Sequence, residues 1–185
     1  MTAQQMRSPT PEGVARAAAK IAELLPRTPL LETEIHGHPV CIKAESLQPI
    51  GAFKIRGAWH RLSDLTDEER VRGVVGVSSG NHAQGVAWAA RKLGIAAAIV
   101  MPVDAPAVKL AATRALGAEV VLYDRPGGED RDALAQRLCA ERGATLVHAY
   151  ADPWVIEGQG SAGTEIIAQM LERGYGPPTR IIACC

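Results

Sequence analysis

A chain of 185 residues, 47% apolar and 4% aromatic, is long enough to bury one sizeable core and short for two. Its 20 Lys and Arg balance 20 Asp and Glu, for a formal net charge of zero, and no run of five like charges appears. This excludes the basic footprint of a nucleic-acid binder or of a protein held on an anionic membrane, so the expected partner is a small molecule.

The longest apolar stretch, "IAAAIVMPV" at 95–103, falls far below the roughly 20 residues that a membrane-crossing helix needs, and reads as a buried strand. The N-terminal "MTAQQMRSPTPEG" has no apolar signal-peptide core. Cys41, Cys139, Cys184 and Cys185 have neither metal-ligand nor disulfide-framework spacing. These features predict a cytoplasmic protein with reduced thiols and no metal site.

In chain order, the first predicted element is a helix over 11–25 with Val14, Ala18, Ile21 and Leu25 on one face. A strand near "PVCIKAE" at 39–45 follows, and both are assigned to a layer of their own. The stretch "QPIGAFKIRGAW" at 48–59 then sets Lys54 between Phe53 and Ile55, with Trp59 nearby. From residue 73 short apolar runs alternate with Ala- and Leu-rich segments of helical period. The strands are "GVVGVSS", "IAAAIVMP", "AEVVLYD", "ATLVHAY" and "TRIIAC", separated by helices over 81–93, 106–116, 130–141 and 161–172. Pro106 suits a first helical turn, and Gly94, Gly117, Gly143 and Gly174 fall where left-handed C-terminal caps are wanted. Because the strands are apolar almost throughout, helices are expected on both faces. The fold class is therefore α/β, with a doubly wound parallel sheet.

The turn in "VSSGNHAQGVAWAARKLG" at 77–94 ends a strand and opens a helix, at the carboxyl edge where open parallel sheets bind ligands. Ser78, Ser79, Gly80, Asn81 and His82 gather there around free backbone N–H groups and the positive end of a helix dipole, a setting for a carboxylate. Each residue also has a plainer reading. Ser and Asn before a helix are common N-caps worth about 1 kcal/mol. His82 suits a helix start, and Lys54 alone would be a solvated helix residue with its stem over apolar neighbours. "GQGSAG" at 158–163 satisfies the dinucleotide pattern G-x-G-x-x-G. The "DPWVIE" before it is a poor strand, however, and "TRIIACC" about 20 residues on holds no acidic residue. A glycine turn entering a helix is expected there instead.

Together, "KAESLQPIGAFKIRGA" at 43–58 and "SSGNHAQGVA" at 78–87 resemble the fold-type II pyridoxal 5'-phosphate enzymes, in the branch of serine/threonine dehydratases and serine racemase. The likeness runs from "RTPL" at 27–30 to "EGQGSAGTEI" at 157–166. The related cysteine synthases usually carry a "TSGNTG"-like loop, so the serine version points to the dehydratase side. The resemblance implies that Lys54 forms the Schiff base with the cofactor aldehyde; an apolar frame favours the neutral amine that condensation requires. It also implies that Phe53 packs near the cofactor ring and that Asn81 hydrogen-bonds the ring hydroxyl. Ser78, Ser79, Gly80, Asn81 and His82 would grip the carboxylate of a small amino-acid substrate, L-serine or L-threonine. The implied reaction is α-proton abstraction by the freed Lys54 and loss of the β-hydroxyl, giving a 2-oxo acid and ammonia. Ser79 sits where racemases of the family place a hydroxyl acid/base, which implies some racemisation of serine; binding carboxylate is its alternative role.

Two departures stand out. Ala52 replaces the family's usual serine, and the sequence stops at Cys185, where relatives continue into a glycine-rich loop for the cofactor phosphate. The expected organisation is a two-domain architecture with its large domain incomplete: 1–47 in the large domain, 48–149 as the small α/β domain, and 150–185 returning to the large one. The helix over 11–25 and "TRIIAC" should then lack partners for their apolar faces, leaving a patch that invites association, homo-oligomers included. The terminal Cys184 and Cys185 read as the scar of a frameshift or a cut, and cofactor binding by the isolated chain is expected to be weak. Three functions compete on this evidence: a serine/threonine ammonia-lyase active in a longer parent, a catalytically inactive fragment, and a nucleotide-binding α/β domain.

Overall fold

Residues 7–183 are described by the computed structural model; Cys184 and Cys185 lie outside them. Helix α1, Pro11–Ala22, starts where the Thr10 hydroxyl accepts the Gly13 N–H and proline fills the first turn. Its inner face, continued by Leu25 beyond the helix, buries Ala17, Ile21 and Leu25 against Ile55 and the half-buried Trp59 and Trp88. The expectation of a bare apolar face on this helix is therefore wrong: α2 (Lys54–Ser63) and α7 (Pro153–Glu172) cover it.

Strands β1 (Leu30–Ile35) and β2 (His38–Lys43) form an antiparallel hairpin. Its two turn residues, His36 and Gly37, have φ of 52° and 77°. That pair of positive values is the two-residue turn whose twist matches the strands it joins. β1 was not anticipated from the sequence.

The main sheet holds β3 (Val74–Val77), β4 (Ala97–Pro102), β5 (Glu119–Tyr123) and β6 (Thr145–Val147) in the order β5-β4-β3-β6, all parallel. Side-chain alternation divides it into two cores. Val74, Ile99, Met101 and Val147 pack with Ala58 and Leu62 of α2 and with Ala83 and Val86 of α4 (Asn81–Leu93). On the other face Val75, Ala98, Val100 and Tyr123 meet Leu134, Ala135 and Leu138 of α6 (Arg131–Arg142). Helices on both faces make the sheet doubly wound, as the unbroken apolar strands predict. Helix α5 (Ala107–Ala115) follows β4; α3 (Asp67–Arg72), unforeseen, is set by a Thr66–Glu69 capping box. Gly94 and Gly143 close α4 and α6 in the left-handed conformation.

Two expectations fail near the C-terminal side. Residues 179–183 of "TRIIAC" carry no regular structure, and Ile182 is 95% exposed. A strand persists only when a neighbour takes its hydrogen bonds, and none of the described strands pairs with this segment. Helix α7 begins at Pro153 rather than at 161, because Asp152 accepts the N–H groups of Trp154 and Val155 ahead of the proline. "GQGSAG" is thus helix interior, with neither a glycine turn nor a phosphate-binding loop. Its glycines serve packing: a Cβ built on Gly158 would lie 2.5 Å from the Gly57 Cα, so α7 and α2 meet backbone to backbone. Among the described residues no helix is long and apolar enough to cross a membrane.

Candidate active site

Lys54 is the first residue of α2, and the helix under it is clamped by charge. Arg56 is fully buried. Its guanidinium donates to Glu45 at 2.7 Å, to Glu165 at 2.8 Å and to the Ser161 hydroxyl at 3.2 Å. Lys43 meets Glu165 at 2.7 Å. Burial alone would lower the pKa of Arg56, but the two carboxylates more than offset it and keep the guanidinium charged. One turn further on, Arg61 donates to the buried Asp152 at 3.0 Å. "KAES", "FKIRGA" and "GSAGTEI" are thus one buried ionic cluster that fixes where α2 starts.

The Lys54 Nζ donates to the carbonyl of Ala149 at 3.3 Å and lies 5.1 Å from the centre of the Phe53 ring. No ion pair with a carboxylate forms among the described residues, and burial pushes its pKa down. Helix α4 presses against its backbone: a Cβ on Gly85 would come within 3.1 Å of the Lys54 carbonyl oxygen. The buried His82 ring reaches the same strand end, with Nε2 3.0 Å from the Val147 carbonyl. A carbonyl only accepts, so the proton sits on Nε2. Burial takes His82 down to about 4; the Val147 carbonyl opposes this, and the neighbouring Lys54 and His148 add to it. Two carbonyls two residues apart, Val147 and Ala149, therefore hold two of the expected site residues.

In the turn itself no side chain caps α4; Gly80 occupies the cap position. The Ser78 hydroxyl accepts from the Gly80 N–H at 3.2 Å, and Asn81 Oδ1 accepts from Lys109 Nζ at 3.2 Å. Ser79 is exposed. The first intrahelical bond runs from the Gln84 N–H to the Gly80 carbonyl, so the N–H groups of Asn81, His82 and Ala83 precede it, Asn81 exposed and the other two buried. Capping by Ser or Asn is not realised.

A cavity of about 500 Å³ opens at the carboxyl ends of β3 and β6, lined by Ser78, Ser79, Arg131, His148, Ala149 and Tyr150 among others. It joins the serine pair to Ala149, whose carbonyl holds Lys54; Lys54 itself, Phe53, Gly80, Asn81 and His82 stand outside its lining. His148 Nδ1 accepts the N–H groups of Tyr150 and Ala151, which leaves Nε2 to donate. Neither Arg131 nor His148 was singled out from the sequence. His148 had a signal, since it lies in the run "ATLVHAY" at a strand's carboxyl end. Arg131 follows the helix cap Asp130 and carried none.

Residues 21–185 match the family model described as pyridoxal-phosphate dependent enzyme. The chain belongs to this family. Pyridoxal phosphate is the family's cofactor, and the resemblance carried by the lysine and serine motifs is borne out. The chain is 48% identical over 159 residues to an L-threo-3-hydroxyaspartate ammonia-lyase of Pseudomonas sp, covering 83% of this chain and 49% of that protein. It is 44% identical to an L-threonine ammonia-lyase of Thermotoga maritima, covering 87% of this chain and 41% of the relative. Among solved structures, maize serine racemase superposes with a TM-score of 0.84 at 36% identity, over 90% of this chain and 51% of that one. The chain spans about half the length of the relatives it matches. Family membership and the helical setting of "GQGSAG" together overturn the nucleotide-binding alternative.

Proposed function

We propose that this chain carries the lysine-bearing part of a pyridoxal-phosphate-dependent ammonia-lyase for small 3-hydroxy amino acids, L-serine and L-threonine among them. The observation that carries this is Lys54: an amine of lowered pKa, held by a backbone carbonyl rather than a carboxylate, at the start of a helix locked by Arg56. Such an amine condenses with an aldehyde far more readily than a solvated ammonium does. The residues present suit the cofactor. Phe53 offers a ring beside the amine, and Asn81 an exposed amide. When bound, the cofactor supplies an electron sink for the substrate's α-carbon.

The chain's own groups then have distinct tasks. Lys54 would hold the cofactor through its aldehyde, and its amine, when free, would take the substrate's α-proton. Ser78, Ser79, Gly80, Asn81 and His82 form the carboxylate grip at the N-terminal end of α4. His82, neutral and tied to Val147, contributes its backbone N–H and holds the turn against β6. The Ser79 hydroxyl also stands ready to exchange a proton on the opposite side, the basis for racemisation of serine. The four-stranded sheet, wholly within 74–147, is the core of a small domain over 48–149; 1–47 and 150–185 belong to a second domain.

The cavity favours a second reading of the substrate. Arg131 and the donating Nε2 of His148 line it together with Ser78 and Ser79, which suits a 3-hydroxy amino acid bearing a second carboxylate. Adding pyridoxal 5'-phosphate should produce a visible absorption band that Lys54→Ala abolishes. A folded chain with no band would overturn the proposal. L-threo-3-hydroxyaspartate should perturb that band at lower concentration than L-serine, an advantage lost in Arg131→Gln.

A further inference from the structure

We propose that Lys109 is a positioning residue, which sets Asn81 as a hydrogen-bond donor to an oxygen of the bound cofactor; this rests on the function proposed above. Lys109 lies in the first turn of α5, half-buried, and its Nζ is 3.2 Å from Asn81 Oδ1. The chemistry fixes which way the amide faces. An ammonium has only protons to give, so the atom it meets is the amide oxygen, and Nδ2 with its two N–H groups is turned away.

Asn81 is exposed at the first residue of α4, at the helix's N-terminal end. Among the described residues, Nδ2 makes no hydrogen bond. What this edge presents to a ligand is therefore donors alone, backed by the positive helix end and by the Lys109 charge, which polarises the amide it touches. A ligand oxygen that still holds its proton toward Asn81 gains nothing there. A deprotonated oxygen takes the amide N–H and the field together. Lys109, five elements after Lys54 in the chain, thereby sets the ionisation state in which the ring oxygen is held.

The test compares Lys109→Met, Lys109→Arg, Asn81→Ala and the Lys109→Met/Asn81→Ala double variant. Two readouts are used: the Asn81 side-chain amide resonance in the cofactor-free chain, and titration with pyridoxal 5'-phosphate followed by the visible band across pH. Lys109→Met should move the amide resonance, weaken cofactor binding about fivefold and shift the pH at which the band titrates. Lys109→Arg should restore all three. The double variant should lose no more than Asn81→Ala alone, since both act through one hydrogen bond. A wild-type band that Lys109→Met leaves unchanged, or fully additive losses in the double variant, would overturn the role of Lys109 alone. A wild-type chain with no Lys54-dependent band would overturn the proposed function and this role with it.

Discussion

Gly158 and Gly57 touch backbone to backbone, leaving 2.5 Å between the Gly57 Cα and the place where a Cβ on Gly158 would sit. The same crossing puts the Val155 carbonyl 2.6 Å from a Cβ on Gly57. Gly158→Ala should therefore force the two helices apart and destabilise the chain by about 1–3 kcal/mol, read as a lower urea midpoint. Gly163 lies in the same helix with nothing within 4 Å of its missing Cβ. Gly163→Ala should be neutral or stabilising by up to about 1 kcal/mol. Equal costs at both positions would mean that close approach is not what these glycines provide.

Arg56 is the shared partner of Glu45 and Glu165. Removing its charge leaves carboxylates with little solvent and, among the described residues, only Lys43, Thr28 and Gln48 to satisfy them. Arg56→Met should cost about 3–5 kcal/mol by denaturant unfolding. A cost under about 1 kcal/mol would show that the cluster does not fix α2.

Acid should loosen the strand end through His82. Its pKa of about 4 in the folded chain lies below the ordinary 6.5, so the unfolded chain takes up the proton first. Stability is then full above pH 6.5 and falls as pH drops toward 4, with a loss of roughly 2 kcal/mol at pH 5. His60, also pushed down by burial and opposed by Asp64 and Glu157, adds to the same slope. Unfolding of wild type and His82→Gln at pH 7 and pH 5 separates the two: the variant should show the shallower fall. Parallel falls would remove His82 from the effect.

The parallel sheet was legible because its signals are local. Apolar runs two-sidedly buried, helical spacing between them and glycines after the helices fix β3 to β6 and α4 to α6 one element at a time. The capping box at Thr66–Glu69 and the His36–Gly37 turn were equally local, and were passed over. Other features depend on partners distant in the chain. Asp152–Pro153 marks a helix start, yet "GQGSAG" after it looks like a turn until Gly57 is known to lie against it. The apolar face of α1 finds its cover in α2 and α7, and "TRIIAC" has strand composition without a strand to pair with. Lys54 stood out through its neighbours Phe53 and Ile55. Arg131 and His148 gained meaning only once the sheet brought them to the mouth occupied by Ser78 and Ser79.

Borohydride reduction of the chain equilibrated with pyridoxal 5'-phosphate, followed by peptide mapping, tests the role of Lys54 most directly. The competing amines are Lys20, paired with Asp64; Lys43, paired with Glu165; and Lys92 and Lys109. The desolvated amine beside Phe53 should take the label first and at the lowest cofactor concentration, and Lys54→Ala should leave only slow, scattered modification. Preferential labelling of any other lysine, or labelling unchanged in Lys54→Ala, would contradict the placement of the cofactor on this residue.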